Sequence, residues 1–135
     1  MTHTIDDLRA HVMAFVTDND LDITWTKRMA RGSMEGGFIE TPVIKSTLSY
    51  ATAMHELGHV LGSGQTGALM RAERGAWSWA KKNALVWTPA MSRQADRCLQ
   101  WYKDNLPEQQ RRRKVDRKAF FEQYKQYEPV GKPNR

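Results

Sequence analysis

The residues best suited to chemistry are two histidines separated by four positions, His55 and His59, with Glu56 directly after the first. Apolar residues at helical spacing predict a helix from about residue 47 to 61, ended by Gly62. On a helix, residues four apart lie on one face, so both imidazoles can reach the same cation. The H-E-x-x-H pattern therefore predicts a metal site, with zinc as the expected ion.

Glu56 and Tyr50 are the predicted catalytic residues. Glu56 is aimed beside the metal, because it follows the first histidine by one position, and a carboxylate there can take a proton from activated water. Hydrolysis of a peptide bond also needs a donor for the developing oxyanion, and Tyr50, about one turn before His55, is a candidate for that role. Helix packing explains Tyr50 equally well.

A zinc site needs a third protein ligand. Gln65 stands where the extended H-E-x-x-H-x-x-G-x-x-H pattern has its last histidine, but a neutral amide is a poor zinc ligand. We therefore reject that pattern and expect loss of Gln65 to leave metal binding nearly intact. Glu73 lies fourteen residues after His59 on another predicted helix, and it is the best candidate if the two helices pack together. Apart from Glu73, no acidic residue lies between Glu56 and Asp96, and Asp96 is a weaker alternative.

The sequence around these residues resembles the gluzincin group of zinc peptidases, in which H-E-x-x-H on one helix and a glutamate on the next form a His-His-Glu site. Three segments are similar to small metallopeptidases of phages and prophages, and more distantly to the ImmA/IrrE type. They are Pro42-Val43-Ile44, Tyr50 to His59, and Glu73 to Ala80. The resemblance covers about residues 38 to 102.

The resemblance implies His55, His59 and Glu73 as zinc ligands and Glu56 as the catalytic base. One position departs from the pattern: thermolysin-like gluzincins carry an aspartate that orients a ligand histidine four residues after the ligand glutamate, and this chain has Trp77 there. No residue is therefore predicted to orient the ligands. Trp77 and the neighbouring Trp79 are expected to be packing residues.

The expected architecture is an α+β domain, a mostly helical, minimal zincin-like fold with a small sheet of two or three strands packed on the H-E-x-x-H helix. Thr4 and Asp7 resemble a capping box at the start of a first helix over about 5 to 17. Further helices are predicted over residues 68 to 86, 89 to 105 and 116 to 127.

Two strands are predicted between the first two helices. Residues 21 to 26 alternate between apolar and polar side chains, and Phe38–Glu40 follows a glycine-containing turn that includes Gly32. Pro42 should end this second strand or keep it at a sheet edge. An edge strand there could hold an extended peptide by backbone pairing.

The composition argues against a largely disordered chain and against a membrane protein. The 135 residues have room for one domain, and 40% hydrophobic with 27% charged residues is ordinary for a globular protein. No membrane-spanning run or signal peptide is recognised, and the single cysteine, Cys98, fits a reducing compartment, so we expect a cytoplasmic protein with no membrane partner. Cys98 and His11 are expected to be structural.

The net charge of +6 is concentrated near the C-terminus. Six basic residues against one acidic residue, Asp116, fall within eight positions: Arg111, Arg112, Arg113, Lys114, Arg117 and Lys118. Such density can bind phosphate backbones, although a solvated basic face is the commoner meaning of such a run. We divide the chain into a metallopeptidase domain, residues 1 to 110, and a basic helix and tail, residues 111 to 135.

The leading functional prediction is zinc-dependent hydrolysis of a peptide bond in a peptide or protein substrate. Two alternatives stay open at this point. One is a protein without catalysis that uses zinc to staple its fold or to bind a partner, and the other is a nucleic-acid-binding regulator that uses residues 111 to 118.

Overall fold

The computed structural model describes residues 2–106, which form four helices and three strands. The predicted mostly helical α+β class is confirmed. The basic run, the predicted last helix and the predicted boundary at residue 110 lie outside the described residues. In chain order the elements are α1 (Ile5–Asp18), β1 (Asp22–Thr26), β2 (Arg31–Ser33), β3 (Phe38–Pro42), α2 (Thr47–Leu61), α3 (Leu69–Asn83) and α4 (Pro89–Asn105).

The helix ends follow local capping chemistry. At the start of α1 the Thr4 hydroxyl accepts from the Asp7 backbone N–H at 3.1 Å, and the Asp7 carboxylate accepts from the Thr4 N–H at 2.8 Å, as the sequence predicted. The α2 helix begins with a similar reciprocal pair formed by Ser46 and Ser49. The α3 helix ends three residues before its predicted end, because the Asn83 side chain donates to a carbonyl of the last turn and the chain then becomes extended.

The sheet has the order β1-β3-β2, with β1 parallel and β2 antiparallel to β3. The strand β3 ends at Pro42, which is one of the two outcomes predicted for that proline. The other outcome, an edge strand, was wrong, because β3 is paired on both sides. The strand β2 was not predicted, since Gly32 was assigned to a turn. Its missing side chain lets β2 lie directly on α2: a Cβ at Gly32 would overlap the Glu56 carbonyl oxygen and lie 3.3 Å from the His59 Cβ.

The core is built around α2, on which every residue from Tyr50 to Val60 is buried. This helix contacts the other three helices, β2 and β3. Because α2 contacts β2 and β3, the sheet packs on the H-E-x-x-H helix, as predicted. Buried polar groups are costly unless they find partners, so the polar side chains of this stretch must be satisfied inside the protein. Within residues 2–106, no helix combines the length and the apolar character that a bilayer crossing requires.

Candidate metal centre

Close packing of α2 against α3 forms the candidate site. A Cβ at Gly58 would overlap the backbone of Ala76, so only glycine at that position allows this approach. The contact brings Glu73 on α3 to the face of α2 that carries His55 and His59. The predicted pairing of the two helices thus has a definite cause in the sequence, namely the glycine within the motif.

The side chains of His55, His59 and Glu73 converge in the interior. His55 Nε2 lies 3.4 Å from Glu73 Oε1, and His59 Nε2 lies 2.6 Å from Glu73 Oε2. One ligand atom from each residue lies within 4.8 Å of the others, and Glu73 is fully buried. Ligands of a tetrahedral zinc ion at about 2.0–2.1 Å are roughly 3.3 Å apart, and the two nitrogen–oxygen distances fall on either side of that value.

The charge of the cluster favours a cation. Glu56 and Glu73 are 3% and 0% exposed, and buried carboxylates are costly unless a positive charge compensates them. Burial by itself lowers the pKa of His55, but the charges of Glu56 and Glu73 and their hydrogen bonds outweigh it and raise the pKa to about 9. A divalent cation would neutralise the two carboxylates while leaving both histidines neutral, as ligation requires.

Each ligand histidine has an acceptor on its Nδ1 atom. His55 Nδ1 lies 3.0 Å from Glu56 Oε2, and His59 Nδ1 lies 2.9 Å from Gln65 Oε1. Acceptors on Nδ1 favour the tautomer whose Nε2 carries a lone pair, and both Nε2 atoms face Glu73. The two imidazoles are thus oriented for ligation through the same type of atom.

The Glu56 carboxylate already contacts His55, so its predicted role as a base requires that it also reach a water molecule. In the structure its Oε2 orients the His55 ring. To act as a general base, an oxygen of the same carboxylate must also reach water next to the metal, either alongside this bond or after rotation of the side chain.

Two contacts made by the histidines of the cluster were missed from the sequence. Trp77 stacks on His55 with ring centroids 4.1 Å apart and planes 11° apart, so a flat aromatic face contacts this imidazole. Gln65 holds His59. Its position at the last histidine of the extended motif was the available signal, but the expectation for Gln65 concerned only direct ligation of the metal.

The remaining candidates lie elsewhere. The Tyr50 hydroxyl is 2.7 Å from His11 Nδ1 and accepts from the Leu85 N–H at 2.9 Å. Tyr50 precedes His55 by five residues, which is about 140° around a helix, so it belongs to another face of α2. The structure does not bring it into the cluster, and its oxyanion role stays a prediction without geometric support. Asp96 is exposed on α4, outside the cluster.

The structural roles predicted for two other residues fit the structure. His11 pairs with Tyr50, and Cys98 is a buried cysteine on α4 that forms no disulfide among the described residues. Burial lowers the pKa of His11, which suits a neutral imidazole accepting the phenol hydrogen of Tyr50.

Comparison of the chain with protein-family models, curated proteins and solved structures finds no match. The chemistry of the donor set therefore carries the functional argument. Two imidazoles and one carboxylate in a buried site could hold a metal ion, and this set is one that zinc and several other divalent transition metals accept.

Proposed function

We propose that this protein is a zinc-dependent peptidase with His55, His59 and Glu73 as metal ligands and Glu56 as general base. The observation that carries the proposal is the convergence of two imidazole Nε2 atoms on a fully buried carboxylate, with a second buried carboxylate one residue after the first histidine. Two histidines with a glutamate leave one position of a tetrahedral zinc ion for water, as in catalytic zinc sites.

The reaction divides between the ion and the protein. A zinc ion held by these residues would supply Lewis acidity that polarises the scissile carbonyl and makes water more acidic. Glu56 takes the proton from the attacking water and returns it to the leaving amine nitrogen, so the carboxylate is regenerated.

The substrate position that fits this fold is the outer edge of β2. That strand is the outer strand of the sheet on the side of β3 away from β1, and Gly32 within it lies against the Glu56 backbone and the His59 Cβ. An extended peptide that paired with β2 would run next to the part of α2 that carries the motif. The strand β3, which was predicted to hold an extended peptide, cannot do so because both of its edges are paired.

The test compares the wild type with Glu56→Gln on a broad peptide library at matched zinc content. The amide keeps an acceptor for His55 Nδ1 but cannot accept a proton at neutral pH, so zinc content should be unchanged. Hydrolysis should fall by roughly a hundredfold or more. Glu35→Gln, which changes an exposed glutamate in the turn before β3, is the matched control and should cleave like the wild type.

Equal cleavage by Glu56→Gln and the wild type would exclude Glu56 as the base. No cleavage of any library peptide by zinc-loaded wild type would favour a site that binds zinc without catalysis.

A further inference from the structure

Gln65 makes three hydrogen bonds from a buried position in the loop between α2 and α3. It is 7% exposed, and its Oε1 lies 2.9 Å from His59 Nδ1. Its Nε2 donates to the carbonyl oxygens of Ser63 and Ala72, both at 2.8 Å. The side chain thus connects a metal-ligand candidate to its own loop and to the first turns of α3.

These partners determine which way the amide points. Carbonyl oxygens only accept, so the end of the amide that faces Ser63 and Ala72 must be the NH₂ group. The other end is then the oxygen, which also only accepts, so His59 Nδ1 must carry a hydrogen. In the neutral ring that tautomer places the lone pair on Nε2, the atom 2.6 Å from Glu73.

The backbone around Gln65 is shaped to hold it there. Gly64 has a φ of 75°, a left-handed conformation that glycine adopts without strain. A Cβ at Gly75 on α3 would overlap the Ser63 carbonyl oxygen and lie 3.2 Å from Gln65 Nε2. Glycine at both positions lets the loop fold onto α3 with the amide aimed at His59.

We propose that Gln65 is a positioning residue of the metal centre, which fixes His59 as the Nδ1-protonated tautomer and directs Nε2 at the cation. The inference rests on the proposed metal site but not on hydrolysis. It replaces the expectation that losing Gln65 is harmless to metal binding, since that expectation considered the amide only as a ligand. Residues that orient metal ligands typically contribute 10–100-fold in metal affinity.

The chain contains a matched control, because a second buried glutamine bonds to the same helix away from the metal ligands. Gln94 on α4 is fully buried, and its Nε2 donates to the Leu48 carbonyl oxygen at 3.1 Å and to the Thr52 hydroxyl at 2.9 Å. Methionine is similar in length to glutamine, so either replacement removes a buried amide that bonds to α2 while keeping most of the side-chain volume. Only one of the two changes removes the acceptor from His59.

The experiment measures Zn²⁺ affinity by competition with a chromophoric chelator, and stability by thermal melting of the metal-free proteins. Gln65→Met should bind Zn²⁺ about 10–100-fold more weakly than the wild type. Gln94→Met should lose stability but keep the wild-type affinity. Gln65→Glu keeps an acceptor for His59 Nδ1 while turning its other oxygen toward two carbonyls. It should therefore lose stability yet bind Zn²⁺ within about tenfold of the wild type.

A spectroscopic signature adds a readout that a merely structural role would not move. Nitrogen–proton NMR correlations of the zinc-loaded wild type should show His59 protonated at Nδ1, and Gln65→Met should lose the protected Nδ1–H signal. Unchanged Zn²⁺ affinity in Gln65→Met, or an equal loss in Gln94→Met, would overturn the inference. Failure of the wild type to cleave peptides bears on the proposed function alone, whereas a wild type that binds no Zn²⁺ overturns both.

Discussion

His11 packs against α2 from α1, and His55 lies within α2. Their surroundings shift the pKa values of the two imidazoles in opposite directions. His11 on α1 meets the phenol of Tyr50, and burial lowers its pKa, so it stays neutral. His55 is more deeply buried, yet carboxylates at both of its nitrogens raise its pKa to about 9. A buried histidine alone therefore does not indicate a cation site. Carboxylates that converge on the ring nitrogens are what indicate such a site. They distinguish the metal face of α2, which carries His55 and His59, from its packing face, where Tyr50 contacts His11.

The largest expected effect is the loss of metal on removing a ligand. His59→Ala or Glu73→Ala should weaken Zn²⁺ binding by more than the roughly hundredfold that a residue outside the ligand set can contribute. His11→Asn, the control on the packing face, should bind like the wild type. Isothermal titration of each purified protein with Zn²⁺ measures both. A His59→Ala protein with wild-type affinity would remove the distinction between the two faces.

Metal removal should reveal how strongly the ion connects α2 to α3. With free zinc at about a thousand times its dissociation constant, binding adds about 4 kcal/mol to the free energy of unfolding. Chelation should then lower the melting temperature by on the order of 10 °C. His11→Asn should show the same shift, measured by calorimetry, while Glu73→Ala should show almost none. An equal shift in Glu73→Ala would place the ion elsewhere.

A smaller effect is expected on the packing face. Tyr50→Phe removes the hydroxyl that bonds His11 and the Leu85 N–H, and leaving buried groups unpaired costs about 1–3 kcal/mol. Urea denaturation should show that loss, with Zn²⁺ affinity unchanged. If instead stability were retained while peptide hydrolysis fell sharply, Tyr50 would be the oxyanion donor after all.

The smallest expected effect comes from the ring that stacks on His55. Stacked aromatic pairs contribute about 0.5–1.5 kcal/mol, so Trp77→Leu should weaken Zn²⁺ binding by roughly 2–10-fold. Trp79→Leu is the control, because that indole packs edge-on against Phe15 with centroids 5.0 Å apart. The same chelator competition measures both variants. Equal affinities for the two would show that Trp77 only fills space.

The cluster of His55, His59 and Glu73 was predictable because its geometry is largely local, whereas the contacts around it depend on tertiary structure. Four-residue spacing on a helix places His55 and His59 together, and Glu73 needed only a second helix packing on the first. The role of Gln65 depends on a loop folding back over α3, which no spacing within the loop reveals. Gly32 looked like a turn residue because its strand forms only by pairing with β3 and packing on α2, which are contacts between distant parts of the chain. The displacement of Tyr50 from the metal face follows from helical phase and could have been predicted.

The most direct test of the metal centre is a crystal structure of the zinc-loaded protein with anomalous data collected on both sides of the zinc absorption edge. We expect one strong anomalous peak per chain, about 2.0–2.1 Å from His55 Nε2, His59 Nε2 and a Glu73 carboxylate oxygen. One further position should be open to solvent water. A protein that binds one zinc per chain but shows its peak away from these three residues would contradict the account.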